Sequence, residues 1–298
     1  MICSPNGHSR TFSDAIIILR IYKIKFSEDR RMYPKTIILG MGLYEIFIII
    51  GVIYAMALFR IISDKDKLDA RLQNTVIIGA LVSVIGGYGS AVLFQAVYNY
   101  FESGVFEITK NTGATFYGGF IGGAVIFLTF YFVCGYFCFG GNSENNGLKN
   151  YHLKHFVRVT DIAAAAVAGA HGFGRIGCLM AGCCYGRVTD SWIGVWNSYL
   201  GEKTVPVQLF EAVFLLALSA FLIFRCLRGK TYGLPIYLVS YGVWRFFIEY
   251  LRADDRGATS IGFLSPSQLT AIILTAVGIG AYILNRKVLI PKWSEDRS

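Results

Sequence analysis

The segment from His171 to Arg187 reads HGFGRIGCLMAGCCYGR and is the most informative stretch of this chain. It follows the Ala-rich apolar run from Ile162 to Ala170, and it places Arg175 among residues that are otherwise apolar. Its glycines permit turns and close approach of backbones, and small residues of this kind mark tight packing between membrane helices. We therefore expect a closely packed membrane helix that carries a functional cation.

The whole chain has the composition of a polytopic membrane protein. Of its 298 residues 54% are hydrophobic, and the mean hydropathy is +0.51. Apolar stretches of about 20 residues, the length that spans a bilayer, recur throughout the sequence. This pattern predicts an all-α fold with about seven transmembrane helices, near residues 39–62, 74–99, 113–138, 157–180, 206–228, 233–252 and 264–288.

We expect one seven-helix membrane domain over residues 32–298, because no polar block is long enough to fold alone. Residues 1–31 form a basic N-terminal extension to which no function is assigned, and Met32 offers an alternative translation start. The first apolar run ends at Arg20 and is too short for a cleavable signal.

The net charge of +9 is attributed to loop lysines and arginines that favour the cytoplasmic side and anionic membrane lipids, and not to nucleic-acid binding. The loops after the first, third and fifth spans, with the C-terminus, carry fourteen Lys and Arg residues, and the other three loops carry five. This asymmetry predicts an N-out, C-in topology. The basic N-terminal extension opposes it, and a start at Met32 would remove most of that opposing charge.

Two arginines, Arg175 and Arg245, lie inside predicted spans at similar depth in the outer half. An arginine at mid-membrane costs about 2.5–3.5 kcal/mol, so each needs a partner or a ligand. Glu249 lies one turn beyond Arg245, which allows either an internal ion pair or an anion site in which Glu249 orients the arginine. Guanidinium suits phosphate, so we favour a phospholipid headgroup site in a polar cavity that opens outward. Tyr44 and Gln208 are expected at the same level.

Cys178, Cys183 and Cys184, together with His171, raise the question of a metal site. The spacing lacks the paired C-x-x-C ligands of structural zinc sites, so no metal is predicted and apolar packing is favoured for at least one of the thiols. His171 is assigned either to helix packing or to catalysis. Tyr117 opens the third predicted span beside closely spaced glycines, and we expect its hydroxyl to hold or relay a proton.

Several segments, in order, resemble the prolipoprotein diacylglyceryl transferase family over most of the chain after Met32. Gly174 to Gly177, with Gly182 and Gly186, resembles its signature G-R-I-G-N-F-x-N-G-E-x-x-G. Tyr117 to Gly119 resembles the family's H-G-G segment, and Pro206 to Glu211 resembles its P-S-Q-L-Y-E segment. Arg245 to Glu249 resembles the R-x-x-x-E of the sixth span, and Ser265 to Gln268 resembles the opening of the last span.

The resemblance implies transfer of the diacylglyceryl group of phosphatidylglycerol to the lipobox cysteine thiol of a lipoprotein precursor, with release of glycerol phosphate. It implies a bacterial inner-membrane enzyme without a cofactor, whose site opens to the outer leaflet. By the same resemblance Arg175 and Arg245 hold the phosphate, and Glu249 orients Arg245. Gly174, Gly177 and Gly186 belong to the phospholipid-binding segment.

The chain departs from the family signature where that signature offers a base. Cys178, Ala181 and Cys183 stand at its Asn, Asn and Glu positions, and Tyr117 replaces the histidine of H-G-G. The candidate bases are therefore Tyr117, His171 or an arginine-assisted thiolate. Two alternatives stay open: a non-enzymatic phospholipid-binding or lipid-translocating protein with the same arginine-lined cavity, and a metal-dependent membrane protein that uses the three cysteines and His171.

Overall fold

The computed structural model describes residues 40–104, 106–109, 112, 115–140, 150–198, 200–253 and 264–289. The N-terminal extension over residues 1–31 and the alternative start at Met32 lie outside the described residues. The prediction of a single domain from residue 32 stays a prediction.

The described chain is mainly α-helical, and its long helices follow the predicted spans closely. The helices are α1 (Leu43–Lys65), α2 (Ala70–Ser103), α3 (Phe116–Phe139), the short α4 (Tyr151–Lys154), α5 (Phe156–Ala181), α6 (Val207–Leu227), α7 (Gly233–Ile248) and α8 (Pro266–Leu284). A π-helical turn, Asn285–Leu289, continues α8. Six helices in the described residues, namely α1, α2, α3, α5, α6 and α8, are long and apolar enough to cross a membrane. The predicted all-α polytopic membrane fold is confirmed.

The sixth predicted span is shorter than expected. Helix α7 has 16 residues and is about 24 Å long, less than the roughly 30 Å hydrocarbon core of a bilayer. A 3-10 turn, Glu249–Leu251, follows it. Arg252 then forms an antiparallel bridge with Gly186, and the Arg187 N–H donates to the Leu251 carbonyl at 2.9 Å. Helix α7 thus ends at Ile248, a few residues before the end of the predicted span, and these bridges attach the chain after it to the loop after α5.

A small β-hairpin between α5 and α6 was not predicted. Strand β1 (Val195–Asn197) pairs antiparallel with β2 (Glu202–Thr204), with Val195 opposite Thr204. Strands of three residues are too short to produce a recognisable alternating pattern in the sequence. The hairpin belongs to the loop that carries the cysteines, and its Asn197 side chain donates to the Gly182 carbonyl at 3.0 Å.

The chain divides into two compact units. The first contains the described residues up to Ala55, Ala164–Phe224 and Leu234–Tyr282. The second contains Met56–Ala163, Arg225–Gly233 and the described residues from Ile283 onward. In the second unit α2 packs closely against α3, because a Cβ on Gly87 would lie 3.0 Å from the Gly119 carbonyl oxygen.

In the first unit α1, α5 and α6 meet through small residues and buried hydroxyls. A Cβ on Gly51 of α1 would lie only 2.9 Å from the Ala170 carbonyl oxygen of α5. The hydroxyls of Tyr54 and Ser219 are 2.9 Å apart, and Ser219 donates to the Ala165 carbonyl at 2.7 Å. The Ala-rich run therefore acts as the surface on which two other helices pack, as small residues do in membrane bundles.

We expect Gly51→Ala to lower the apparent Tm of the purified protein in detergent, because the new methyl group meets backbone that cannot rotate away. Overpacking of this kind costs roughly 1–3 kcal/mol. The matched control is Gly280→Ala in α8, where a Cβ meets nothing within 4 Å. That substitution should leave the Tm unchanged or raise it, since Ala is the better helix former. Equal Tm values for the two variants would contradict this close contact.

Candidate active site

The charged residues of the candidate site lie near the ends of helices in the first unit. Arg175 comes from the last two turns of α5, and Glu211 from the first turns of α6. Helix α7 and the turn after it supply Tyr241, Arg245, Glu249 and Arg252. Helix ends are where polar side chains reach an interface at the lowest cost, which explains why charge collects there.

Glu211 is the buried anion at the centre of this site. Its side chain is fully buried, and its Oε1 lies 3.1 Å from Arg175 Nη2. The Tyr241 hydroxyl donates to the same Oε1 at 2.8 Å and accepts from Arg175 Nη2 at 3.4 Å. Arg175 has no acidic neighbour in its own helix, and the structure places Glu211 of α6 against it instead.

Arg245 and Glu249 form the contact that their spacing predicts, with Nη2 and Oε2 2.7 Å apart. Arg252 joins the two ion pairs, because its guanidinium lies 3.8 Å from Glu249 Oε2 and 4.0 Å from Glu211 Oε2. These contacts form one buried network, which we call the arginine network. Its members are Arg175, Glu211, Arg245, Glu249 and Arg252. Three guanidinium groups face two carboxylates, and this excess of positive charge favours an anion nearby.

Several buried polar atoms of the arginine network make no hydrogen bond within the described residues, and they include arginine nitrogens as well as one carboxylate oxygen each of Glu211 and Glu249. Arg175 Nε and Arg245 Nη1 are buried and make no hydrogen bond to any described group. Buried polar groups in proteins are nearly always hydrogen-bonded, so unused guanidinium donors point to an oxygen ligand. The side chains of Arg175 and Arg245 are only 13% and 7% exposed. In this structure both side chains are packed into ion pairs with carboxylates.

A capping box at the start of α8 holds Glu249 in place. The Ser265 hydroxyl accepts from the Gln268 N–H at 3.1 Å, and the Ser265 N–H donates to Gln268 Oε1 at 3.0 Å. This reciprocal pair caps the first turn of the helix. The same hydroxyl donates to Glu249 Oε1 at 2.9 Å. The S-x-x-Q sequence therefore fixes the carboxylate that contacts Arg245.

Three thiols lie close together at the end of α5 and in the loop that follows it. We call them the thiol cluster, namely Cys178, Cys183 and Cys184. Their sulfur atoms all lie within 4.8 Å of one another. Cys183 Sγ is 3.7 Å from the Cys178 carbonyl oxygen, and Cys184 adopts a positive φ of 62°. Gln208 Nε2 donates to the Cys183 carbonyl at 2.6 Å. Gln208, predicted as a phospholipid-binding residue, thus contacts the cysteine loop in this structure.

The thiols of the cluster differ in the direction in which their surroundings shift the pKa. The hydrogen bonds of Cys184 with Cys178 and Cys183, helped by the nearby Arg252 guanidinium, lower the pKa of the Cys184 thiol. The hydrogen bonds of Cys183 with the same two cysteines raise the pKa of the Cys183 thiol. The Cys184 side chain therefore interacts with Arg252 of the arginine network.

The structure places His171 against aromatic side chains. Its Nδ1 lies 3.3 Å from the Tyr237 hydroxyl, and its ring packs edge-on against Tyr241 with 4.7 Å between centroids. His171 therefore touches the residue that donates to Glu211, and the catalytic role expected for it stays a prediction. Tyr117 lies in the first turn of α3, but its side chain is outside the described residues, so its predicted role is untested.

The signature glycines differ in their surroundings. A Cβ on Gly186 would lie 2.6 Å from the Val205 carbonyl oxygen, so only glycine allows the two bridged segments to meet there. A Cβ on Gly177 would lie 3.2 Å from the carbonyl oxygen of Tyr44, whose side chain is 40% exposed. Gly174 is less restricted, with its nearest neighbour at 3.6 Å. Gly177 and Gly186 thus set the spacing of backbones around the arginine network.

From the sequence, Tyr241 received no role, and Arg252 was noted as a loop cation three residues after Glu249. Tyr241 sits one turn before Arg245, a position at which its hydroxyl reaches the same level, and this spacing was the available signal. Glu211 was included as the last residue of the segment that begins at Pro206, and it was not assigned to the site. The contact of Arg252 with both carboxylates depends on the bridge to Gly186, which has no signal in the sequence.

Comparison with known proteins shows to which family the sequence of this chain is similar. The family model described as prolipoprotein diacylglyceryl transferase matches residues 35–284. The phosphatidylglycerol–prolipoprotein diacylglyceryl transferase 2 of Clostridium perfringens (strain 13 / Type A) is 30% identical over 262 residues, which cover 84% of this chain and 93% of that protein. The corresponding enzyme of Clostridium tetani is 30% identical over 253 residues, covering 82% and 92%. That of Chlorobaculum tepidum is 27% identical over 273 residues, covering 83% of each.

We expect Glu211→Gln to destabilise the protein strongly, because it leaves Arg175 and Arg252 without their shared carboxylate in a buried site. Breaking a buried ion pair from one side costs about 3–5 kcal/mol. Thermal unfolding in detergent measures the effect as a loss of apparent Tm. Glu202→Gln, an exposed carboxylate on β2, is the matched control and should leave the Tm unchanged. A Glu211→Gln protein as stable as this control would show that the arginine network does not depend on its central anion.

Proposed function

Because this chain belongs to the prolipoprotein diacylglyceryl transferase family, we propose that it transfers the diacylglyceryl group of phosphatidylglycerol to a lipoprotein precursor. The acceptor is the thiol of the lipobox cysteine, and glycerol phosphate is the leaving group. The observation that carries the proposal is the arginine network, with its buried guanidinium donors that no described group uses. Phosphate oxygens are the acceptors that guanidinium groups bind best.

The headgroup phosphate binds between Arg175 and Arg245. Arg175 contacts Glu211 and Arg245 contacts Glu249, while Arg175 Nε and Arg245 Nη1 have no described hydrogen-bond partner and can donate to the ligand. This arrangement pre-orients the donors before the phosphate arrives. Donors that are fixed in advance stabilise developing charge without reorganising during the reaction.

The reaction increases the negative charge on the phosphate, which is what this site stabilises. The acceptor thiolate forms a bond to the terminal glyceryl carbon of the diacylglyceryl group, and the bond from that carbon to the phosphate oxygen breaks. The electron pair of the broken bond stays on the departing oxygen, so a phosphodiester with one charge becomes a phosphomonoester with up to two. Arg175 and Arg245 therefore interact more strongly with the charge that develops in the transition state than with the substrate, as catalysis requires.

Three further residues act by positioning these groups. Ser265 fixes Glu249, and Tyr241 holds both Glu211 and Arg175. His171 packs against Tyr241 and so limits the movement of its ring. We assign to Tyr117 a proton relay at the acceptor, as the resemblance of its segment suggests. Tyr44, whose backbone and ring approach Gly177 of α5, borders the phospholipid site.

The protein is a multi-pass membrane protein, and we propose that it lies in the bacterial inner membrane with the arginine network toward the outer leaflet. The loops after α2, α5 and α7 belong to the set with few lysines and arginines, which is the set expected outside. The arginine network is at the ends of α5 and α7 that these loops join. Both substrates, phosphatidylglycerol and a precursor that has been exported, are accessible from that side.

We expect Arg245→Ala to reduce the transfer of labelled diacylglyceryl from phosphatidylglycerol to a lipobox peptide by at least about a hundredfold. Losing one preorganised donor to a developing oxyanion typically costs 10²–10³ in rate. The assay uses purified protein in bilayers and detects labelled peptide. The matched control is Arg60→Ala, because Arg60 also pairs with an acid four residues on, but at an exposed position with a side chain 44% accessible.

Arg60→Ala should transfer label at the wild-type rate. Equal rates for wild type and Arg245→Ala would remove Arg245 from the mechanism. No transfer by any of the three proteins, with phosphatidylglycerol still bound by the wild type, would instead support the non-enzymatic lipid-binding alternative.

A further inference from the structure

The thiol cluster has the composition and spacing of a metal site with one position open. Zinc bonds to cysteine sulfur at about 2.3 Å, so sulfurs that share one zinc ion lie about 4 Å apart. The three sulfurs of Cys178, Cys183 and Cys184 are all within 4.8 Å of one another. Catalytic zinc sites have three protein ligands and leave the fourth coordination position open.

Secondary contacts hold this cluster in place. Gln208 Nε2 binds the Cys183 carbonyl at 2.6 Å, and Asn197 Nδ2 binds the Gly182 carbonyl at 3.0 Å. The Cys184 side chain also interacts with the Arg252 guanidinium. Such outer contacts orient metal ligands and stabilise their charge. Cys183 is exposed, so both an ion and the thiol of an incoming peptide can reach the cluster.

The neighbouring carboxylates are poorly suited to take the proton of an acceptor thiol. Glu211 and Glu249 are both committed to ion pairs with arginines. The arginines therefore already contact the carboxylate oxygens that would have to accept the proton. A free cysteine has a pKa of about 8.5, so the acceptor needs another group to form its thiolate. Coordination to a divalent cation deprotonates a thiol directly.

We propose that Cys178, Cys183 and Cys184 bind a thiophilic divalent cation of the zinc type, and that its open position binds the sulfur of the acceptor cysteine. The first half of the proposal concerns this chain alone, and the second half rests on the proposed transferase function. The acceptor S–H bond breaks as the metal–sulfur bond forms, and the proton leaves to water. The bound thiolate then forms the bond to the glyceryl carbon, while glycerol phosphate departs with its electron pair toward the arginine network.

Metal content tests the first half. The purified full-length protein is stripped with a chelator, loaded with zinc, dialysed and measured for zinc per chain, and a parallel sample is loaded with cobalt. We expect one zinc per chain, and in the cobalt sample an absorption band from sulfur-to-cobalt charge transfer. We expect retained zinc to fall by at least about tenfold in each of Cys178→Ser, Cys183→Ser and Cys184→Ser. Losing an outer contact typically lowers metal affinity 10–100-fold, and losing a ligand should lower it more.

The control for this measurement is Cys138→Ser, an exposed cysteine of α3, which should keep one zinc and the charge-transfer band. The apparent Tm of each stripped variant is compared with that of the stripped wild type, so that loss of metal is separated from loss of fold. Failure of the wild type to retain zinc, or retention of one zinc by all three cluster variants, overturns the metal site.

The cobalt-loaded protein also tests the second half. A lipobox peptide with its cysteine should shift the cobalt ligand-field bands, and the same peptide with that cysteine replaced by serine should leave them unchanged. Stripping the metal should reduce diacylglyceryl transfer by at least about tenfold, and zinc should restore it. Full transfer by metal-free wild type would overturn acceptor activation and leave the transferase function standing. Stoichiometric zinc with a peptide-dependent shift, but no transfer in any sample, would reject the transferase function and support the site.

Discussion

Placing several guanidinium groups inside an apolar helical bundle is the constraint on which the rest of this structure depends. Removing a charge from water is costly unless partners replace its hydration, and a membrane offers no water within its core. The protein meets this cost with Glu211 and Glu249, which lie between Arg175, Arg245 and Arg252 at distances from 2.7 to 4.0 Å. The anions are one fewer than the cations, and this imbalance supports the proposed binding of a further anion.

The irregular parts of the fold serve this network. Helix α7 ends early, and the turn after it bends back to bridge Gly186, which directs Arg252 toward both carboxylates. The start of α8 contributes a capping box whose serine also fixes Glu249. Arg175 and Glu211 meet directly between α5 and α6, but Arg252 reaches both carboxylates from the bridged segment after α7. Short bridges at helix ends, stabilised by backbone hydrogen bonds, join them into one unit.

The sequence was sufficient for the fold and for part of the site. Long apolar stretches located the helices to within a few residues, because twenty apolar residues have few other stable arrangements. The contact of Arg245 with Glu249 followed from helical spacing alone. The partner of Arg175 did not, because it comes from another helix, and the β-hairpin was too short to have a pattern. Nor did spacing show that Cys178 and Cys184 meet, since their contact depends on a turn with a positive φ at Cys184.

The central claim is that the arginine network binds the phosphate of phosphatidylglycerol. Solid-state NMR of ¹⁵N-arginine-labelled protein in phosphatidylglycerol bilayers measures it most directly, through dipolar coupling between guanidinium nitrogen and headgroup phosphorus. A hydrogen bond from guanidinium to phosphate places these nuclei about 4 Å apart. We predict couplings at this distance that weaken in Arg175→Lys and in Arg245→Lys and persist in Arg60→Lys. Couplings that are absent from the wild type, or unchanged in both network variants, would contradict the claim.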